Sequence, residues 1–336
     1  MPGKANRPSA PHLTVTGLFV YTVAEGVPGN PVHARFWAPV PKEFAVDSSD
    51  MLRQALERAA VPGTQPDGRP VRVVPHGAAD GAARQAGVLL RQAEIAALEL
   101  GLVPERYLRN FATLDCAGQA RLLRARVALV GLGGLGGHIL EGLARMGIGQ
   151  IRVADHDVFE PTNLNRQLLA TQAELGAPKA DAAVRRVAQV NPAVELDVWR
   201  GRLEGQDFAR FYAGVDVAID ALGGVAFRPA AESGAAAADV PLIAASVAGW
   251  TAMVATALPG ERGLAGMFFP HGQPAATPAE DVLGCQPPAL LVAAGLVLSE
   301  AVRLALGQPP RLGGSHGRMA VVDLTTISLD RLSLQG

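Results

Sequence analysis

The chain has 336 residues, 49% of them hydrophobic and 18% charged, with a formal net charge of −1. That balance supports a substantial core, and with no lysine or arginine block it argues against broad electrostatic binding to nucleic acid. The two cysteines, Cys116 and Cys285, stand apart from any CxxC pair, which argues against a disulfide framework and a cysteine-based zinc site.

Residues 1–12 carry no apolar signal segment and read as a frayed tail, so the default expectation is a cytoplasmic protein. Residues 12–74 then read as strand, strand, helix, strand. HLTVTGLFVYTV (12–23) and HARFWAPV (33–40) are candidate strands by their β-branched and aromatic content. DSSDMLRQALERAA (47–60) is a helix capped by Ser48, Ser49 or Asp50, with Met51, Leu52, Ala55, Leu56 and Ala59 on one face. VPG (61–63) reads as its stop, and RPVRVV (69–74) as a short strand. The order is compatible with a small β-grasp module, although many α+β folds share it. PHGAADGA (75–82) reads as a linker, and residues 82–122 as mainly helical.

From Arg126 strands alternate with helices, which implies a mostly parallel sheet covered on both faces. The strands are RVALVG (126–131), QIRVADHD (150–157), VELDVW (194–199), VDVAIDAL (215–222) and PLIAASVAG (241–249). GGHILEGLARMGIG (136–149) is a helix closed by Gly147 and Gly149, residues 170–190 read as mostly helix, and RPAAESGAAAA (228–238) is another. TAMVATALPGE (251–261) and MAVVDLTTISLDRLSL (319–334) read as antiparallel strands added at the edge. The apolar ALLVAAGLVL (289–298) is about half a membrane span, so it reads as a buried helix and no membrane partner is expected. The expected divisions are an N-terminal α+β module over residues 1–80, a helical lead-in over 81–125 and a doubly wound Rossmann-like domain over 126–336.

The stretch VALVGLGGLGGHIL (127–140) carries the chemistry. Gly131 permits a tight turn, Gly133 lets the backbone approach a phosphate, and Gly136 lets helix and strand pack closely. The phosphate would sit at the helix N-terminus, where free N–H groups and the helix dipole favour an anion. Asp155, roughly 20 residues further on, is placed to bind ribose hydroxyls. Alone, such a loop favours a dinucleotide. The residues after it, DHDVFEPTNLNRQ (155–167) and GAPK (176–179), favour a triphosphate. Asn163, Arg166, Gln167 and Lys179 form a dense polar set, and its two cations would neutralise charge as pyrophosphate leaves. His138 and His156 flank this region and read as local contacts.

This motif set resembles the ThiF/MoeB/HesA family of ubiquitin-activating-type adenylyltransferases. The likeness is carried by GLGGLG, VADHDVFEPTNLNRQ, GAPK, VAIDA and PLIAASVAGW, with ERYLRNFATLDCAGQARLLRARV (105–127) similar to the family's lead-in. The resemblance implies a homodimer that uses ATP, with Mg2+, to adenylate the C-terminal glycine carboxylate of a small β-grasp sulfur-carrier protein ending in Gly-Gly. It implies that Gly133 and Gly134, within the Gly131–Gly136 turn, lie against the phosphates, and that Asp155 holds the ribose. Asn163, Arg166, Gln167 and Lys179 would surround the phosphates, and Arg109 would reach into the partner's site. The family's DxxDN, whose second aspartate is taken to hold Mg2+, reads here Asp220-Ala221-Leu222-Gly223-Gly224. Asp220 remains as a candidate nucleotide-site residue, and no residue is assigned as a metal ligand. Paired zinc cysteines are missing around GLAGMFFPHG (263–272), so no zinc is expected, and Cys285 reads as an ordinary thiol. Two alternatives stay open: a nucleotide-binding relative that has lost catalysis at Gly223, and an enzyme that activates a different substrate, tRNA or peptide.

Overall fold

The computed structural model describes residues 46–261, 263–265, 277–313 and 318–333. The two strands expected before residue 45, and most of the GLAGMFFPHG stretch, lie outside the described residues.

The helix read over 47–60 forms as α1 (Val46–Ala59). Leu52 and Leu56 are buried on it, while Met51 faces solvent. The VPG expected to stop it does more than that. Val61–Thr64 is a strand, β1, paired antiparallel with β2 (Pro70–Val74) through a turn in which Gly68 has φ 86°. A stop signal and a hairpin signal look alike in sequence, and cross-strand pairing decides between them. The PHGAADGA linker is also corrected: from Ala78 it is helix α2 (Ala78–Ala86), flanked by left-handed Gly77 and Gly87. Its alanines favour helix, and Ala79, Ala82 and Ala83 bury against α1 and α3 (Leu90–Glu99). The segment read as a helical lead-in also holds a strand, β3 (Leu102–Pro104), which adds parallel to β2.

The second sheet has eight strands. In chain order they are β4 (Arg126–Val130), β5 (Gln150–Ala154), β6 (Glu195–Trp199), β7 (Val217–Asp220), β8 (Leu242–Ala248), β9 (Thr251–Ala257), β10 (Arg318–Asp323) and β11 (Ser328–Ser333). Their spatial order is β11-β10-β9-β8-β7-β4-β5-β6, parallel from β6 to β8 and antiparallel from β8 to β11. This is the mostly parallel, doubly wound sheet with antiparallel C-terminal strands expected from the sequence. Both faces are covered. Val127 and Leu129 of β4 pack in one apolar cluster with α5 (Gly134–Met146) and α6 (Lys179–Val190). Ala128 and Val130 face the other cluster, with α7 (Asp207–Tyr212) and α8 (Arg228–Ala237). The helix read over 170–190 begins only at Lys179, because Gly176 sits at φ 81° and Pro178 caps the helix from outside.

A short helix, α9 (Ala279–Leu283), precedes the apolar α10 (Pro287–Ala305). By length and composition α10 would suffice to cross a membrane. Here it packs on α5 and on β8 and β9, with Ala289, Leu290, Ala293, Ala294, Val297 and Ala301 in the main core. Its buried Glu300 accepts the N–H groups of Arg311 and Leu312 and the hydroxyl of Thr256, which ties the following loop to β9.

The N-terminal part is bonded to this sheet. Asn191, just after α6, donates to the Tyr107 hydroxyl at 2.9 Å, and that hydroxyl donates to Glu94 at 3.1 Å. Arg106 donates to Asn191 at 2.7 Å and pairs with Glu94 at 2.9 Å. Arg91 pairs with Glu195 of β6 at 2.9 Å.

Candidate functional site

Strand order reverses between β4 and β7, with β5 and β6 on one side and β8 on the other. In doubly wound sheets that point opens a crevice at the carboxyl ends of the strands. A cavity of about 540 Å3 lies there, within the range that accepts a nucleotide-sized ligand.

Its floor is the glycine turn. Gly131 has φ 89°, and a Cβ there would stand 2.6 Å from the Ala221 carbonyl oxygen. Gly133 precedes the first turn of α5, so the helix N-terminus opens on the cavity. Gly136 does not line the cavity. It seats α5 against the turn so closely that a Cβ would fall 1.8 Å from the Gly131 carbonyl oxygen. Asp155 holds the arrangement together: one carboxylate oxygen accepts the N–H of Leu132 at 2.7 Å and the other that of Asp157 at 2.8 Å.

The cationic wall comes from the loop after β5 and the start of α6. Asn163 is buried, its side chain accepts the N–H of Glu160, and its carbonyl accepts the N–H groups of Arg166 and Gln167. It therefore shapes the loop that carries those two residues to the cavity without lining the cavity itself. Arg166 donates to the Thr162 carbonyl and the Asn165 side chain, neither of them charged. Gln167 is 6% exposed, and its buried Oε1 has no hydrogen-bond partner among the described residues. Lys179 is buried and pairs with Asp157 at 2.9 Å. Burial pushes the Asp157 carboxyl up, but Lys179, helped by His156 and Arg202, holds it below its ordinary 3.8. Asp155, His156 and Asp157 bring possible metal donors within 4.8 Å of one another. Asp155 is already engaged by two N–H groups and Asp157 by Lys179, so this cluster reads as a hydrogen-bonded network.

Asp220 lies off the cavity at 1% exposure. It accepts the Leu222 N–H at 2.9 Å and faces the buried Arg228 guanidinium at 3.4 Å. Arg228 also donates to the carbonyls of Gly224, Leu222 and Ala245, and so braces the Asp220–Gly224 turn that walls the cavity. Arg109 is exposed on the 3-10 turn Glu105–Asn110 and does not line this cavity.

Several lining residues carry no local signal in the sequence. Arg202 stacks 5.1 Å over the Phe227 ring, and both line the cavity with Leu203 and Phe208. Glu280 and Asp281 of α9 line it too, and Glu280 accepts the Gly224 N–H. Cys285 is half-buried there, its thiol 3.4 Å from the Val247 carbonyl. Burial raises that thiol above its ordinary value, Glu280 and Asp281 raise it further, and Arg166 opposes them.

The ThiF family profile matches residues 106–335. The molybdopterin-synthase adenylyltransferase of Salmonella typhimurium is 31% identical over 234 residues, covering 68% of this chain and 89% of that protein. The sulfur carrier protein ThiS adenylyltransferase of Escherichia coli is 35% identical over 172 residues, covering 50% of this chain and 68% of that protein. Among solved structures, E. coli MccB with ATP aligns with a TM-score of 0.57 at 20% identity, over 76% of this chain and 82% of that one, a likeness of fold.

Proposed function

The chain belongs to the ThiF family, and on that premise we propose that it adenylates the C-terminal glycine carboxylate of a small sulfur-carrier protein with ATP. The observation that carries the reading is the cavity's make-up. An open helix N-terminus at Gly133 and Gly134 shares the cavity with Arg166, Lys179 and Gln167, with Asp155 beside them. A dinucleotide would leave the two cations without a purpose, whereas a triphosphate engages both.

In this reading the carrier's terminal carboxylate oxygen attacks the α-phosphorus of ATP. A carbon–oxygen–phosphorus link forms, the bond to pyrophosphate breaks, and the product is an acyl-adenylate. The nucleophile is already an anion at pH 7, so no general base is needed. Catalysis is then positioning and charge neutralisation. The glycine turn and α5 hold the phosphates, Asp155 orients the ribose, and Arg166 and Lys179 stabilise the leaving pyrophosphate. Mg2+, when bound beside the phosphates, would neutralise part of their charge. Arg109, exposed on its turn, serves the partner's site in a homodimer. Residues 126–336 form the adenylation domain, residues 81–125 its lead-in and residues 1–80 an accessory module. Cys285 takes no covalent part, and the acyl-adenylate passes to a separate sulfur donor.

A second reading has its own observation. Gly223 offers no side chain where the resemblance implies a metal carboxylate, and Asp220 is turned to Arg228. A nucleotide-binding protein without turnover would look the same. Carrier-dependent ATP–pyrophosphate exchange, with candidate carriers ending in Gly-Gly, separates the two. Exchange above the carrier-free level supports adenylation. No exchange with any carrier, but exchange in Gly223→Asp, supports the second reading.

A further inference from the structure

The cavity has two chemically distinct sides. Its cations belong to the α5–α6 side: Lys179 begins α6, and a Cβ on Gly134 of α5 would stand 3.6 Å from Arg166 Cγ. The α7–α8 side is apolar. Leu203 and Phe208 line the cavity from the cluster on that face of the sheet, with Leu222 and Phe227 packed against it. The first side suits phosphates, and the second suits a flat apolar group.

One contact crosses the crevice on the apolar side. Arg202 is exposed, and its guanidinium lies 5.1 Å from the centroid of the half-buried Phe227 ring. Arg202 follows β6 and Phe227 follows β7, while β5 and β4 stand between those two strands in the sheet. At about 4.8 Å per strand the two loops are rooted roughly 14 Å apart. The pair therefore spans the ends of β4 and β5, from which Gly131 and Asp155 enter the same cavity. A cation–ring contact at an exposed site is weak. Both loops are also built to give, since Gly201 and Gly205 flank Arg202, and Gly223 and Gly224 precede Phe227. A planar group needs about 3.5–4 Å on each face, more than the closed pair leaves. A base therefore enters between them only when Arg202 moves off the ring.

We propose that Arg202 and Phe227 form a clasp for the nucleobase, which opens as the nucleotide enters and holds the base between guanidinium and ring. The two residues thereby set base selectivity. A purine covers more of both planes than a pyrimidine does, and stacking of this kind needs no hydrogen-bond readout. The phosphates are left to the α5–α6 side. The inference rests on the nucleotide reading of the cavity.

The test uses the full chain and three probes in one Mg2+ buffer, each titrated by calorimetry. AMPCPP is an ATP analogue that resists cleavage between the α- and β-phosphorus atoms, UMPCPP is its uridine counterpart, and inorganic tripolyphosphate carries no base. Wild-type protein is expected to bind AMPCPP at least fivefold more tightly than UMPCPP. Arg202→Lys keeps the charge but loses the plane, and Phe227→Leu loses the ring. Each weakens AMPCPP at least tenfold and brings the two nucleotides to within about twofold of each other. Phe227→Tyr, which keeps the ring, retains wild-type affinity and selectivity. Tripolyphosphate binds all variants within about twofold of wild type, which also shows that they are folded. If Arg202→Lys and Phe227→Leu bind both nucleotides as wild type does, the clasp is overturned and the nucleotide reading stands. Equal weakening of AMPCPP and tripolyphosphate would likewise overturn it, because the two residues would then act on the phosphates or on the fold. If wild-type protein binds none of the three probes, the clasp and the nucleotide reading fall together.

Discussion

Gly136→Ala is the sharpest probe of how the fold builds the site. The added Cβ would lie 1.8 Å from the Gly131 carbonyl oxygen and 2.7 Å from its carbonyl carbon, where at least 3.0 Å is needed. Both contacts are backbone, so no side chain can swing away. The N-terminus of α5 and the glycine turn must part by more than an ångström. Overpacking of this kind costs about 1–3 kcal/mol, more against backbone. The gain in helix propensity from glycine to alanine offsets about 1 kcal/mol of it. The expected net loss is about 2 kcal/mol, which lowers Tm by roughly 2–4 °C per kcal/mol in a domain of this size class. Nucleotide binding suffers more than stability, because the helix N–H groups and the turn no longer converge. Misplacement of about 1 Å in a positioned site costs up to ~10²-fold, and AMPCPP affinity is expected to fall at least tenfold. Calorimetric titration with AMPCPP and a thermal melt read the two effects. Gly223→Ala is the matched control for stability, since its Cβ meets nothing within 4 Å among the described residues. If Gly136→Ala keeps both the wild-type Tm and the wild-type affinity, close packing of α5 on the turn is not what shapes this site.

Three further expectations follow from the same geometry. Arg228→Met strands the buried Asp220 and three carbonyls, and costs about 3–5 kcal/mol in urea unfolding, with part regained in the Asp220→Asn double variant; a change within about 0.5 kcal/mol would sink the bracing role. Lys179 holds the Asp157 carboxyl below 3.8, so this pair stabilises the fold above that value and its contribution disappears as pH falls through the lowered one. In melts across the acid range, Lys179→Met should therefore flatten the acid limb, and an unchanged slope would refute the linkage. The Cys285 thiol is raised by burial and by Glu280, so iodoacetamide should label it more slowly at neutral pH than a free cysteine, and Cys285→Ser should keep carrier-dependent exchange; rapid labelling together with lost exchange would restore a covalent role.

The sequence by itself determined the frame of this protein. Alternating apolar runs and glycine-closed helices from Arg126 onward specify a parallel, doubly wound sheet, because strand and helix periods are local properties of the chain. The glycine turn was legible for the same reason: Gly131 needs a left-handed φ and Gly136 a close approach, and no other residue serves both. The polar set after β5 was legible as a group, and the fold brings Arg166, Gln167 and Lys179 to one wall.

Local reading was least informative where distant segments meet. VPG looked like a helix stop until β2 paired with it, and PHGAADGA looked like a linker until its alanines found α1 and α3. Only the tertiary structure turned Asp220 away from the cavity and onto Arg228, and set Asn163 behind the loop instead of on its surface. Only it brought Glu280 to the backbone of Gly224, 56 residues away in sequence. Spacing along a chain encodes which face of an element a residue occupies. It carries no record of which remote element that face will meet, and the acidic wall of this cavity is made by just such a meeting.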